Sequence, residues 1–463
     1  GAAALIRQAD GDRVCFCSAN GLAFPVTLFG AVAARLPFVP LNYRLADAQL
    51  SAILDARDVV VASGDQADRF RGMGVTRVID SAYLLDEART AAPDSEGTPV
   101  DPDDVALLLH TSGTTAAPKA AVLRHRHLAA YVINSVEFGS AGHDEAALLS
   151  LPPYHVAGIM NLVSNLYMGR RIVYLGAFDG PRWLATVRAQ SITHAMVVPT
   201  MLARIVSALD DVPADVPSLR TISYGGAKTP GQVIEKALTL FPDVAFTNAY
   251  GLTETSSTIS VLGPDDHRLA MASEDPAVRA RLSSAGQLLP EIEIEIRDDQ
   301  GGLCAAGITG DIYVRGEQVS GEYSGVDGTG QGWFDTRDRG HLDASGYLFI
   351  EGRSDDTIIR GGENIAPAEI EDVLRAHHEV TDCAVVGIDD EEWGQRIAAA
   401  VIVVDDASVT PEDLKQFAKG QLRASKTPDF VVIVDELPYT ETGKLLRRVV
   451  RTELSGMVAP SER

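Results

Sequence analysis

Val105-Ala106-Leu107-Leu108-Leu109-His110, followed at once by Thr111-Ser112-Gly113-Thr114-Thr115-Ala116-Ala117-Pro118-Lys119, is the stretch on which the reading of the chain turns. An unbroken apolar run of this length suits a strand covered on both faces, as in a parallel sheet flanked by helices. The segment after it is small, rich in hydroxyls and carries a glycine. Its backbone amides can turn into one concavity while the hydroxyls add donors. Such a loop either holds phosphate oxygens or is a plain polar turn. The spacing Gly-x-x-x-x-Gly-Lys-Ser/Thr of a Walker loop is absent here.

Working outward, further short apolar and β-branched runs predict strands at Val14–Cys17, Asp58–Ala62, Ala147–Leu151, Arg171–Leu175, Ala195–Val198, Thr221–Tyr224 and Val244–Thr247. Helical spacing lies between them, at Arg182–Ser191 and Thr200–Leu209. The alternation argues for a large N-terminal α/β domain of packed sheets and helices. After about residue 285 the texture changes: Glu291–Arg297 alternates as a half-solvated strand, and Gly/Asp-rich turns follow through Gly346. From Asp356 the elements are short and mixed, with a helix opened by Pro367, strands Ala384–Ile388 and Ala399–Val404, a helix near Pro411, and a strand Phe430–Val434. This predicts a small α+β C-terminal domain, with the division at 1–354 and 355–463.

At 463 residues, with 46% hydrophobic and 22% charged residues, the chain is neither disordered nor collagenous nor a coiled coil. No apolar run approaches the ~18 residues of a membrane span, and no signal peptide opens the sequence. It reads as a cytoplasmic protein without membrane insertion. The net charge of −24 opposes nucleic-acid binding. Four cysteines make no disulfide framework, and Cys15, Cys17, Cys304 and Cys383 have no metal-ligand spacing.

Three more segments carry chemistry. In Asn248-Ala249-Tyr250-Gly251-Leu252-Thr253-Glu254-Thr255, an aromatic beside a glycine suits a flat base, and a carboxylate beside hydroxyls suits Mg²⁺; the Thr-Glu pair also reads as a helix start. Upstream, Ser223-Tyr224-Gly225-Gly226-Ala227 allows close approach to a planar ligand or makes a tight turn. In Gly332–Asp338 and Glu351–Asp356, Asp338 can accept both hydroxyls of a ribose and Arg353 can bridge ribose and phosphate, or the whole is a solvated hairpin. Last come Arg360-Gly361-Gly362-Glu363-Asn364 and Pro438–Lys444, where Lys444 either reaches a site between domains or is an exposed lysine.

Taken in order, from about Gly11 to Arg451, these segments resemble the adenylate-forming superfamily of acyl-CoA synthetases, adenylation domains and luciferases. The resemblance implies a two-step reaction: a small-molecule carboxylic acid and ATP with Mg²⁺ give an acyl-adenylate, and coenzyme A then displaces AMP. It implies that Thr111, Ser112, Gly113, Thr114, Thr115 and Lys119 form the phosphate loop. Gly225, Gly226, Ala227, Tyr250, Gly251 and Thr253 would surround adenine and the α-phosphate, Glu254 would hold Mg²⁺, and Asp338 and Arg353 the ribose. Lys444 would bridge carboxylate and phosphate during adenylation. His155 would lie near the acyl carboxylate, in a pocket drawn from 131–138, 154–161 and 225–253. Asp355 would be the hinge of a mobile C-terminal domain, and Gly361 and Gly362 would line the pantetheine channel.

Gly361-Gly362-Glu363-Asn364 and Trp393-Gly394-Gln395 resemble acyl- or aryl-CoA ligases more than amino-acid adenylation domains. Two other readings are a ligase that only thioesterifies a supplied acyl-adenylate, and a non-catalytic AMP-binding protein. Family members have Gly where Ala116, Ala120 and Arg337 stand; methyl groups there restrict positive φ, and Arg337 sets a bulky cation beside Asp338. Lys444 and Glu254 are both present, which favours the full reaction. Members also carry several tens of residues ahead of the segment that opens this chain, so residues before Gly1 are expected, and a homodimer is compatible with such an enzyme.

Overall fold

The apolar runs do form strands, and their order across the sheets explains why they had to be apolar. The computed structural model describes residues 1–92, 99–110, 119–324, 332–361, 363–390, 392–440 and 443–457. A six-stranded sheet runs, edge to edge, Val78–Asp80, Asp58–Ala62, Arg13–Cys17, Phe38–Pro40, Val105–His110 and Ala120–Arg124; all its pairs are parallel except the last. A seven-stranded sheet runs Gln287–Leu288, Ser257–Leu262, Ala245–Leu252, Thr221–Gly225, His194–Val197, Ala146–Leu149 and Arg171–Tyr174, antiparallel only at the first two pairings.

The two sheets share one core. Leu107, Leu109 and Leu123 of the first and Ala147 and Leu149 of the second pack with Ile159, Met160 and Leu162 of the helix Val156–Met168 between them. The outer face of the second sheet is covered by Gly180–Ala189, Pro199–Ser207 and Gly231–Leu240, around a fully buried Trp183. Alternation in Arg13–Cys17 sorts its side chains: Val14 and Phe16 enter the shared core, while Cys15 and Cys17 enter a separate cluster with Val60 and Phe70.

The expected half-solvated strand is found at Glu293–Arg297, and the Gly/Asp-rich stretch after it, expected to be turns, contributes further strands to the same four-stranded antiparallel sheet, Gly310–Arg315, Phe334–Leu342 and Leu348–Arg353. Polar residues on one face masked these later strands in sequence. Ile296, Ile312, Val314 and Phe334 pack against Ile259 of the second sheet, with Tyr250 alongside. This packing sets Tyr250 against Phe334–Leu342.

In the C-terminal domain, Val380–Asp390, Gly394–Val403 and Phe430–Ile433 form one sheet between helices. Cys383 and Val385 face Pro367–Arg375 and Pro411–Gln421, while Ala384 and Val386 face Arg447–Met457, which is why this run reads as continuously apolar. A two-stranded hairpin, Ile358–Arg360 with Glu363–Ile365, precedes it.

One buried charge cluster ties this domain together. Glu371, 3% exposed, accepts from the Val385 amide at 2.8 Å and from the Arg447 guanidinium through both oxygens. Burial opposes its charge, but Arg447 and Arg375 outweigh that and hold the carboxyl below its ordinary value of 4.5. Its folded value is depressed, so its contribution to stability is complete above about pH 4.5 and is lost as the pH falls through the lower folded value. Glu371→Ala leaves two arginines without their buried partner. We expect it to lower stability by about 3–5 kcal/mol in the urea transition of the C-terminal domain, and a change within about 0.5 kcal/mol would contradict the role assigned to the cluster.

Candidate active site

The site is built where three elements meet. Asp338 lies on Phe334–Leu342, opposite Arg353 of Leu348–Arg353 in the antiparallel register, and beneath Tyr250 of Ala245–Leu252. The Tyr250 hydroxyl donates to Asp338 Oδ2 at 2.6 Å, and Arg353 Nη1 donates to Oδ1 at 3.0 Å and to the Thr336 carbonyl at 3.3 Å. The Asp338 amide is held by Thr336 Oγ1 at 3.1 Å.

This carboxylate is 5% exposed. Burial pushes it above its ordinary 3.8, against the pull of Arg353, Tyr250 and, from the other domain, Lys444. The Tyr250 phenol is itself driven well above 10 by burial and by Asp338, so it remains a donor. A carboxylate has about four lone-pair directions. Two are taken here, which leaves acceptor capacity for two further hydroxyls.

Strand Ala245–Leu252 continues through half of the segment expected to follow it, and the turn comes only at Thr253–Thr255. Gly251 is required at its end: a Cβ there would lie 1.7 Å from the Ser257 carbonyl oxygen. Beyond the turn, Ser256 at φ 56° and Ser257 at φ 103° bring the chain sharply back. Gln318, 3% exposed, secures it by donating to the carbonyls of Thr255 and Thr258 at 2.9 and 2.7 Å. The bend turns Glu254 inward, 7% exposed, where its carboxylate accepts from the Tyr323 hydroxyl. Glu254 also contributes to the field at Arg353, so the two carboxylates share that cation.

Tyr323 went unread in the sequence, since nothing in its neighbours marks it. It reaches Glu254 because the segment around it runs against Ala120–Arg124: Ala121 pairs with Tyr323, and the Val122 amide donates to the Glu322 carbonyl at 2.9 Å. Lys119 stands exposed at the start of that strand. Ala120 is extended strand, 2% exposed, so its methyl group meets no backbone restriction. Thr111, Ser112, Gly113, Thr114, Thr115, Ala116 and Gly362 lie outside the described residues.

Lys444 belongs to the C-terminal domain. Its amide bonds Thr440 Oγ1 at 3.0 Å and its carbonyl accepts from the Thr440 amide at 2.8 Å, closing a tight turn. Gly443 in this turn has φ 73°, and a Cβ on it would lie 2.7 Å from both Oγ1 and Cγ2 of Thr200, at the start of the large-domain helix Pro199–Ser207. The turn therefore sits directly on the large domain, with the Lys444 charge felt at Asp338. Beside it, Lys228 pairs with Asp372 at 2.7 Å and Gln232 Nε2 donates to the Arg375 carbonyl at 3.2 Å, both across the same junction.

The remaining expected residues are more dispersed. Gly225 closes Thr221–Gly225, where a Cβ would lie 2.1 Å from the Ala249 carbonyl, and Gly226 follows at φ 88°; Ala227 is half-buried beyond them. Thr253 opens the turn before Glu254. His155 caps the backbone entry to Val156–Met168, its ring 4.7 Å from Tyr154. Phe138, expected in the acid pocket, is 75% exposed and packs on Tyr167. Gly361, at φ 57° in the hairpin turn, backs onto Trp393, with the ring 3.3 Å from where its Cβ would be. Asp355 lies in the turn Ser354–Asp356 between the domains, with Arg337 3.8 Å away.

Residues 2–324 match the family described as AMP-binding enzyme, and residues 369–444 match the AMP-binding enzyme C-terminal domain. A feruloyl-CoA synthase of Amycolatopsis sp is 33% identical over 95% of this chain and 88% of its own length. A 2-succinylbenzoate–CoA ligase of Bacillus licheniformis is 31% identical over 95% and 89%. Among solved structures, o-succinylbenzoate CoA synthetase from Bacillus subtilis, in complex with its acyl-adenylate intermediate, superposes with a TM-score of 0.80 at 27% identity, over 97% of this chain and 92% of that one. ATP-bound MatB from Rhodopseudomonas palustris shares the fold, with a TM-score of 0.87 over 98% and 92% at 24% identity.

Removing the Tyr250 hydroxyl takes away a donor that favours the charged form of Asp338. Tyr250→Phe is therefore expected to raise the Asp338 midpoint further in a carbon-13 titration of labelled aspartates; an unchanged or lower midpoint would mean that this hydrogen bond does not govern the carboxylate.

Proposed function

The chain belongs to the AMP-binding enzymes, and we propose that Lys444, Asp338, Arg353 and Glu254 carry its chemistry. It is an AMP-forming acid–thiol ligase, an acyl- or aryl-CoA synthetase: a carboxylic acid and ATP give an acyl-adenylate and pyrophosphate, and the coenzyme A thiol then takes the acyl group with release of AMP. The observation that carries our assignment of residues is the seating of the Lys444 turn on the large domain through Gly443 and Thr200, in the same molecule that holds the buried Asp338 between Tyr250 and Arg353.

In the first half, the acid's oxygen attacks the α-phosphorus and the bond to pyrophosphate breaks. Negative charge accumulates there, and a lysine brought in by the C-terminal domain lowers that barrier alone. Asp338 takes the ribose hydroxyls on its two remaining acceptor directions, and Arg353 holds Asp338 and faces the phosphate. Tyr250, Gly251, Gly225, Gly226 and Ala227 provide the adenine surface, where the missing side chains let a flat base approach the backbone. Lys119 and the loop at 111–115 bind phosphate, and His155 faces the acid. In the second half, the thiolate attacks the acyl carbon and the bond to AMP breaks. That step needs the Lys444 turn withdrawn, with Asp355 as hinge, the division of domains at 354/355, and Gly361 and Gly362 beside the pantetheine.

Mg²⁺ fits this donor set in one way. Among the described residues no group of three or more His, Cys, Asp or Glu side chains gathers to hold a metal, and Glu254 is a single buried carboxylate. That suits an ion carried by phosphate oxygens and completed by one carboxylate. Bound there, Mg²⁺ would neutralise phosphate charge. No helix among the described residues is long and apolar enough to cross a membrane. Four free cysteines, three of them buried, support a reducing cytoplasmic setting, and a homodimer completes the proposal. The extended, buried Ala120 weakens the alternative of an enzyme limited to thioester formation.

Two measurements test this. Pyrophosphate release across an acid panel containing ferulate, 2-succinylbenzoate and a long-chain fatty acid is expected to rise with one class of acid; silence throughout would remove the adenylating half. Lys444→Ala is expected to slow that release at least about 100-fold while thioester formation from synthetic acyl-adenylate stays within about threefold. Equal loss of both halves would contradict the role given to Lys444.

A further inference from the structure

Arg337 has a left-handed backbone, φ 57°, which an L-residue with a long side chain rarely adopts. The position is forced by a bulge: Tyr313 pairs with Asp335 and Asp311 with Arg339, so Thr336, Arg337 and Asp338 together face the single residue Ile312. The bulge aims Asp338 into the site, and glycine is the residue that fits such a turn without strain. The local structure accommodates arginine instead: Asp335 Oδ1 accepts from the Arg337 amide at 2.8 Å. Its guanidinium is then carried outward, 3.8 Å from the Asp355 carboxylate, with both side chains mostly exposed. Its charge is also felt at Tyr323, the residue that donates to Glu254.

We propose that Arg337 is a positioning residue that latches Asp355 and so favours the arrangement in which the Lys444 turn sits on the large domain. The proposal rests on the hinge role assigned to Asp355 above. A swing about that residue changes its backbone angles and carries its carboxylate away from Arg337. The pair therefore stabilises the adenylating arrangement and not the thioester-forming one. An enzyme with glycine at this position has no such contact, so Arg337 biases the balance between the two halves of the reaction.

The test uses the full chain and measures two rates separately: pyrophosphate release with the preferred acid, and single-turnover thioester formation from synthetic acyl-adenylate and coenzyme A. Arg337→Gln keeps a side chain at the strained position and removes the charge. It is expected to shift the ratio of the two rates towards thioester formation by up to about fivefold, the most an exposed ion pair supplies. Arg337→Lys is expected to return the ratio to the parent value. Asp355→Asn is expected to shift it as Arg337→Gln does, and combining the two to add nothing. An unchanged ratio in Arg337→Gln, or both rates falling together, overturns the latch and leaves the ligase assignment standing. A parent chain that releases no pyrophosphate with any acid overturns the ligase assignment first, and the latch with it.

Discussion

Much of the large domain is arranged around keeping one carboxylate ionised out of water. Asp338 sits almost fully buried, and burial raises its proton affinity. A carboxyl whose folded value is raised stabilises the native state fully only below its unfolded value near 3.8, and that contribution is lost as the pH rises through the folded value. At neutral pH the ionised group is therefore a cost to the fold. Tyr250 and Arg353 offset it: Arg353 stands opposite on the next strand of the same sheet, and Tyr250 comes from the second sheet, so the second and third sheets must pack as they do for Tyr250 to reach. A site that needs this support from two directions is what a binding carboxylate looks like, since nothing in folding alone asks for it.

The large domain was legible at most of its apolar strands, although Ala120–Arg124 and Ser257–Leu262, also largely buried, went unread beside the loop segments they adjoin. The runs predicted from Val14 to Thr247 all fall on observed strands, because burial on two sides leaves few polar positions in the pattern. Phe38–Pro40 and Val78–Asp80 are too short to carry a period. Of the third sheet only Glu293–Arg297 was read, from its strict alternation; the other three strands turn one face to solvent, and their alternating polar residues, set among glycines and aspartates, resembled turns.

Within the site, Asp338, Arg353, Tyr250 and Glu254, singled out from segments of unusual composition, lie together in the fold, whereas Lys444 reads by its own segment as an exposed lysine as easily as a reaching one and was singled out through the family resemblance. Their supports were not legible. Tyr323 and Gln318 act through chain-distant contacts to Glu254 and to the backbone beyond it, and no local spacing encodes a contact 63 residues away in sequence. The same holds for Glu371 and Arg447. Each reads as an ordinary helix charge, and only the fold reveals that the pair is buried.

The contact between Gly443 and Thr200 has a different kind of consequence. Charges at the junction, such as Lys228 with Asp372, attract the two domains to one another, and dissolved ions weaken them. The seat under Gly443 is hard-sphere contact, with no room for one carbon atom, and it is indifferent to ions. In the proposed motion it would act as a mechanical stop. Under the proposed swing about Asp355, ionic conditions would change the fraction of time the domains spend together, but the depth to which the lysine travels would be set by atomic radii and would be the same on every closure.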